Sequence, residues 1–238
     1  MRLWILLALL VAPFTPSPPR TLLLFDAVRD RPVPIAVYEP AALEGRLSGL
    51  VILSHGYGGV NTDYSFIANA LSRRGYLVAS IQHGIPGDKP LPTVGDPALV
   101  RRPSWQQGVE NILFVIGELK RTRPEVDFGN LVLIGHSHGG DTSMLFAREH
   151  PDLVRIVISL DNRRMPFPRT GRPRVFSIRS SDQAADDGVI PKPEEQAALG
   201  MEVVKLQATI HNDMWDGGTE AQKAEMLRLI LSFITRAS

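Results

Sequence analysis

The chain has 238 residues, of which 44% are hydrophobic and 21% charged, with a net charge of +1. That length carries one large core and is short for two full domains. The near-neutral balance, without a basic stripe, argues against nucleic acid as a partner. The absence of cysteine excludes disulfides, thiolate metal sites and a cysteine nucleophile.

In chain order, Arg2 precedes an apolar run over residues 3–12, followed by Pro13, Pro16, Pro18 and Pro19. A short positive end, an apolar stretch and a helix-breaking exit predict a secretory signal peptide over residues 1–20 and a secreted or periplasmic protein. A transmembrane helix needs about 20 apolar residues, so no stable membrane span is expected. An uncleaved anchor and a buried first strand are the competing readings. Residues 21–238, free of repeats and linkers, read as one domain.

Short apolar runs predict strands over 22–25, 33–38, 50–54, 76–82, 131–135, 154–160, 174–178 and 202–206. Helices are predicted over 63–74, 104–121, 138–149 and 219–236, the last from Leu227, Ile230, Leu231 and Ile234 at a period near 3.6. Strands bounded by helices imply a mostly parallel eight-stranded sheet covered on both faces, the first two strands forming an antiparallel edge. Ligands bind such sheets at the carboxyl ends of the strands, and the motifs fall there.

Gly135-His136-Ser137-His138-Gly139-Gly140 joins a buried strand to a helix, the context of a nucleophile elbow. The two flanking glycines let strand and helix approach. Ser137 then stands at a helix N-terminus, where free N–H groups favour negative charge. Strand and helix around it favour a nucleophile over an idle serine in a glycine-rich turn. Upstream, Ser54-His55-Gly56-Tyr57-Gly58-Gly59 follows another central strand and reads as an oxyanion loop. Tyr57 N–H and His138 N–H are the expected donors. A phosphate loop is discounted, because the Walker lysine and the Rossmann spacing are missing. His55 is expected to brace its loop, and His83 to line the pocket.

The base should come last in chain order. His211 qualifies, whereas His150 beside Pro151 is explained by capping of a helix end. Without a His-Glu-x-x-His motif, the scattered histidines are not read as a metal site, and no cofactor is expected. For the acid that orients the imidazole, Asp161 after one strand competes with Asp182, Asp186 and Asp187 after the next. The residues alone do not separate them.

The segment Val51–Gly59, the elbow, Leu160-Asp161-Asn162-Arg163-Arg164-Met165-Pro166-Phe167-Pro168 and Ile210-His211-Asn212 together resemble the platelet-activating-factor acetylhydrolase-type branch of the α/β hydrolases, which shares its skeleton with dienelactone-hydrolase-like proteins. The resemblance covers most of the chain after about residue 25. It implies an α/β-hydrolase fold and a serine carboxylester hydrolase acting on a small or lipid-like ester. In many α/β hydrolases the acid follows the later strand, which would favour Asp182–Asp187; in this branch it lies on the Leu-Asp segment, which maps to Asp161. The chain departs from that branch in being shorter than its eukaryotic phospholipases, and in carrying His138 and Tyr57 where an aromatic and a small aliphatic residue are common.

About a dozen residues separate Asp161 from the strand at Arg174, too few for the helical cap domain of many relatives. The proline-rich loop 84–103 is the expected cover. A non-catalytic binding protein on the same fold, or a thioesterase or peptidase, are the alternatives.

Overall fold

The computed structural model describes residues 18–40 and 47–236, so most of the signal-peptide segment lies outside the described residues. Among the described residues eight strands form one sheet: β1 (Arg20–Asp26), β2 (Arg31–Tyr38), β3 (Gly49–Ser54), β4 (Tyr76–Ile81), β5 (Leu131–His136), β6 (Ile156–Leu160), β7 (Arg174–Arg179) and β8 (Glu202–Lys205). Their order is β1-β2-β4-β3-β5-β6-β7-β8. β1 and β2 form an antiparallel hairpin and β2 runs antiparallel to β4. From β4 across to β8 every pairing is parallel. All eight expected strands are present.

Alternate residues of the central strands enter two separate cores. Leu50, Ile52, Leu131 and Leu133 pack with Trp105, Val109, Ile112 and Phe146, which belong to α3 (Arg102–Thr122) and α4 (His138–Glu149). Val51, Leu53, Val132 and Ile134 pack with Ile67, Leu71, Met226, Ile230 and Phe233, from α1 (Ser65–Ser72) and α6 (Glu220–Thr235). Burial on both faces is why these strands are apolar without alternation.

α6 begins at a capping box: Thr219 Oγ1 accepts from Gln222 N–H, and Gln222 Oε1 accepts from Thr219 N–H at 2.8 Å. Its buried face differs from the expected one. Met226, Ile230, Phe233 and Ile234 are buried, and Leu231 is only partly so. Phe233 turns the helix towards the sheet by stacking on Phe176, ring centres 4.9 Å apart.

Two short helices depart from the expected loops. α2 (Pro97–Val100) interrupts the cover loop, with Asp96 Oδ1 accepting from Ala98 N–H at 2.9 Å. α5 (Pro193–Leu199) ends at Gly200, φ 64°. Four and seven residues are too few to display a 3.6 period, so only their proline starts and caps announce them. β6 begins at Ile156, because Pro151–Leu153 forms a 3₁₀ turn. β7 ends at Arg179, so Asp182 stands in the following loop and not at the strand end. Between β6 and β7 the described chain forms no helix, leaving the carboxyl end of the sheet without a cap domain.

Candidate active site

Ser137 lies between the last residue of β5 and the first of α4. Its backbone holds φ 51° and ψ −116°, a conformation that costs a non-glycine residue of order 1–3 kcal/mol. The surroundings enforce it. Ser137 N–H donates to Leu160 O at 2.9 Å, and Ser137 O accepts from Asp141 N–H at 2.9 Å. A Cβ at Gly135 would run into the backbone of Gly139, and one at Gly139 into the backbone of Ser54 and His55. α4, β5 and the end of β3 therefore meet closely only because neither position has a side chain.

Two sequence-distant residues converge on this turn. His211, opening a 3₁₀ turn beyond β8, places Nε2 at 3.0 Å from Ser137 Oγ. Its Nδ1–H donates to Asp161 Oδ2 at 2.6 Å, which leaves Nε2 to accept from the serine hydroxyl. Asp161, directly after β6 and also at positive φ (58°), is completely buried. Its carboxylate accepts from Ser180 Oγ–H at 2.7 Å and Ser180 N–H at 3.1 Å, and pairs with Arg179 Nη2 at 2.8 Å. Burial pushes the Asp161 carboxyl up, but His211, Arg179 and Ser180 together hold it below the usual carboxylate range.

The two carboxylates touch different parts of His211. Asp182 Oδ1 accepts from the backbone N–H of His211 at 2.8 Å. It fixes the main chain carrying the imidazole, while Asp161 meets the ring. Asp186 and Asp187 are exposed, and Asp186 uses its N–H to bond Arg163 O.

The loop after β3 is tied down from several sides. His55 Nδ1–H donates to Gly56 O at 2.7 Å, and its Nε2 accepts from His83 N–H at 3.0 Å. These two bonds tie the loop after β3 to the chain leaving β4. His83 sits behind it, Nε2 at 2.9 Å from Ser54 Oγ. Gly56 N–H donates to Tyr64 Oη at 3.2 Å, and Tyr64 O–H donates to His136 Nδ1 at 2.7 Å. The His136 ring lies 4.7 Å from that of His211, and burial followed by the His211 charge pushes its pKa down to about 3. A neutral His136 adds no like charge beside the imidazole.

His138, first residue of α4, has no preceding turn to accept its N–H. Its ring is clamped: Nδ1 accepts from Trp105 Nε1–H at 3.0 Å, and Nε2–H donates to Ser104 Oγ at 3.0 Å. Burial brings its pKa down to about 4. Tyr57, on the facing loop, accepts Leu91 N–H at its hydroxyl, 3.1 Å away, and so pins the cover loop over the site. His150 ends α4, its ring 5.0 Å from that of Phe146.

Sequence reading did not find Tyr64, Trp105, Asp141, Arg179 or Ser180. Asp141 Oδ1 accepts from the N–H groups of Arg163, Arg164 and Met165 at 3.2, 2.9 and 2.8 Å. It thereby shapes the loop that turns Asp161 inward. A buried carboxylate in the first turn of a helix was the available signal, but burial itself is a tertiary fact.

Ser137 opens into a cavity of about 150 Å³ lined also by Tyr57, Thr93, Arg101, His138, Asp141 and Arg164. Tyr57, Leu91 and His138 also wall a second cleft of about 940 Å³ beneath the cover loop. Among the described residues no group of three or more His, Asp or Glu side chains could hold a metal ion. None of the described helices is long and apolar enough to cross a membrane.

Comparison with known proteins agrees with this architecture. A family model described as serine aminopeptidase, S33, matches residues 45–160, which include the loop after β3 and the turn at Ser137 but stop short of Asp161 and His211. The chain is 29% identical over 133 residues to the sn-1-specific diacylglycerol lipase ABHD11 of Mus musculus, covering 55% of this chain and 38% of that lipase. The chain thus spans well under half the length of this curated relative. Among solved structures, a ferulic acid esterase from Streptomyces cinnamoneus superposes with TM-score 0.67 at 18% identity, covering 95% of this chain and 92% of that one. The thermophilic esterase Est2 of Thermogutta terrifontis gives TM-score 0.65 at 13% identity, covering 92% and 94%. The chain has the α/β-hydrolase fold.

Proposed function

We propose that this α/β hydrolase is a serine carboxylester hydrolase with Ser137 as nucleophile, His211 as base, Asp161 as the acid that orients it, and Tyr57 N–H and His138 N–H as the oxyanion donors. One observation carries the reading: an unbroken run of contacts from Asp161 to His211, 2.6 Å, and from His211 to Ser137, 3.0 Å, on a strained elbow.

In this reading His211 Nε2 takes the proton of Ser137 as Oγ attacks the ester carbonyl. The negative charge that develops on the carbonyl oxygen is met by the two backbone N–H groups, each typically worth about 10²–10³ in rate. His211 then protonates the leaving alcohol, and an acyl group remains on Ser137. Water, deprotonated by His211, attacks that acyl-enzyme and frees the carboxylic acid and the serine. Asp161 stays ionised throughout, and its charge stabilises the imidazolium formed in each half.

Ester substrates are favoured by the names of the similar esterases and lipase; the aminopeptidase description of the family model supports amide cleavage as the second reading. A matched ester, thioester and anilide panel separates them. Ser137→Ala is expected to abolish turnover of a short-chain chromogenic ester and labelling by a fluorophosphonate. Full activity in that variant would sink the assignment. The reading includes export directed by residues 1–20, which a deletion of that segment tests by the compartment in which activity is found.

A further inference from the structure

The cavity into which Ser137 opens carries two guanidinium groups that the reaction does not use. Arg101 stands where α2 meets α3. It donates Nε–H to Pro92 O at 3.2 Å, and its side chain helps to line the cavity. Arg164 lies three residues beyond Asp161 in the loop shaped by Asp141, and its Nε is buried without a partner. Neither guanidinium forms an ion pair with a described carboxylate, whereas the adjacent Arg102 pairs with Glu149 at 3.0 Å.

Arginine retains its charge in any such setting. Two of them facing one small cavity repel each other, and Arg164 indeed acts on Arg101 as an unfavourable neighbour after burial. The anions nearby relieve this only through space, Asp141 acting on both guanidinium groups without an ion pair to either. Asp141 Oδ1 is taken up by three backbone N–H groups, and the exposed Asp186 reaches Arg101 only through space. Arg163, on the same loop, is held by Gln183 Oε1 and Ala184 O and adds a third cation. Across Tyr57 and His138 the larger cleft differs: its charged lining is one Asp88 and one Lys89 among Ile85, Pro86 and Pro90.

Resting on the reading of Ser137 as the nucleophile, we propose that the ester cleaved here carries a compact anionic group, a carboxylate or a phosphate, beside the scissile bond, held by Arg101 and Arg164, with its uncharged half in the larger cleft. An anion there completes the donor set that the fold leaves open, since guanidinium groups bind such oxygens through paired, charge-assisted hydrogen bonds. The same charges would raise the local concentration of anionic esters at the cavity mouth.

The test compares mono-(4-nitrophenyl) glutarate with 4-nitrophenyl pentanoate, esters of equal chain length with and without a terminal carboxylate. Wild type is expected to have the higher kcat/KM on the glutarate. Arg164→Gln and Arg101→Gln should each lower the glutarate-to-pentanoate ratio by about 10-fold or more, as expected when a charged hydrogen-bond partner is lost, and Arg164→Lys by less. Arg164 is the cleaner site, because its side chain holds no other element in place. Circular dichroism and fluorophosphonate labelling establish that each variant is folded with a reactive serine. Inhibition of pentanoate turnover by free glutarate assigns the carboxylate, and inhibition by inorganic phosphate assigns the phosphate. A ratio unchanged in both glutamine variants, with labelling intact, overturns the subsite and leaves the hydrolase reading standing. If wild type neither takes the label nor turns over either ester, both readings fall.

Discussion

Replacing Asp161 with Asn, beside the same change at Asp182, separates the two carboxylates that reach His211. Asp161 offers one oxygen to Nδ1–H at 2.6 Å and the other to Arg179 at 2.8 Å. An amide has one oxygen, so one of the two neighbours must meet an NH₂ group. If the NH₂ faces His211, the imidazole must present the Nδ1 lone pair and carry its proton on Nε2, where it can no longer accept from Ser137. Loss of the correct tautomer in this type of triad costs about 10⁴ in kcat, or about 5.5 kcal/mol of barrier. If the NH₂ faces Arg179 instead, donor meets donor there; in both orientations the neutral amide leaves the buried guanidinium without its counter-charge. Breaking a buried pair in this way destabilises by about 3–5 kcal/mol. Either orientation gives a slow enzyme with a lowered melting temperature.

Asp182→Asn keeps a carbonyl oxygen for the His211 N–H now bonded at 2.8 Å. Its expected effect is about 1 kcal/mol or less, under about tenfold in rate. The assay is kcat on a chromogenic short-chain ester, with thermal melting in parallel. A thousandfold fall in Asp182→Asn beside a fall under tenfold in Asp161→Asn would refute the assignment.

Three further outcomes follow from the same geometry. Tyr64→Phe removes the acceptor of Gly56 N–H and the donor to His136 Nδ1, leaving buried polar groups unpaired at about 1–3 kcal/mol; melting should fall and kcat drop with it, and an unchanged kcat would remove Tyr64 from the support of the oxyanion loop. Gly139→Ala puts a methyl group into the backbone of Ser54 and His55, so the soluble yield and melting temperature should fall sharply, and a stable, active variant would contradict the close approach. Acidification should weaken the fold well before the carboxylates titrate. His136 and His138 are held down to about 3 and about 4 from 6.5, so between pH 6.5 and about 4 the unfolded chain takes up protons that the folded one refuses. Each group then removes up to about 1.4 kcal/mol per pH unit. The stability that Asp161 contributes goes later, as pH falls from 3.8 through its lowered folded value. Urea denaturation at pH 7 and pH 5 checks the order, and equal stability at both would refute it.

The strands and the elbow were legible because their signals are local. A strand buried on both faces, such as Leu131–Val132–Leu133–Ile134, is apolar wherever it folds, and Gly135 and Gly139 record a steric demand of their own turn. α2 and α5 escaped notice because four and seven residues are too few to repeat the period that betrays a helix. The face of α6 was misjudged by a fraction of a turn, since Leu227 and Phe233 are equally apolar and only the stacking of Phe233 on Phe176 chooses between them.

The acid was a different kind of question. Asp161 and Asp182 both follow parallel strands at the reactive end of the sheet, and residue type does not distinguish them. The pairing of β6 between β5 and β7, with Asp161 in a positive-φ turn over a buried arginine, points one carboxylate at the imidazole and leaves the other for its backbone. By itself the sequence determined the alternation of strand and helix, the serine on its turn and the histidine near the end, because each rests on short-range sterics or chain order. Only the tertiary structure decided which carboxylate meets the ring, that Tyr64 joins the loop after β3 to the end of β5, and that Arg101 and Arg164 share one cavity, because each depends on distances between residues far apart in the chain.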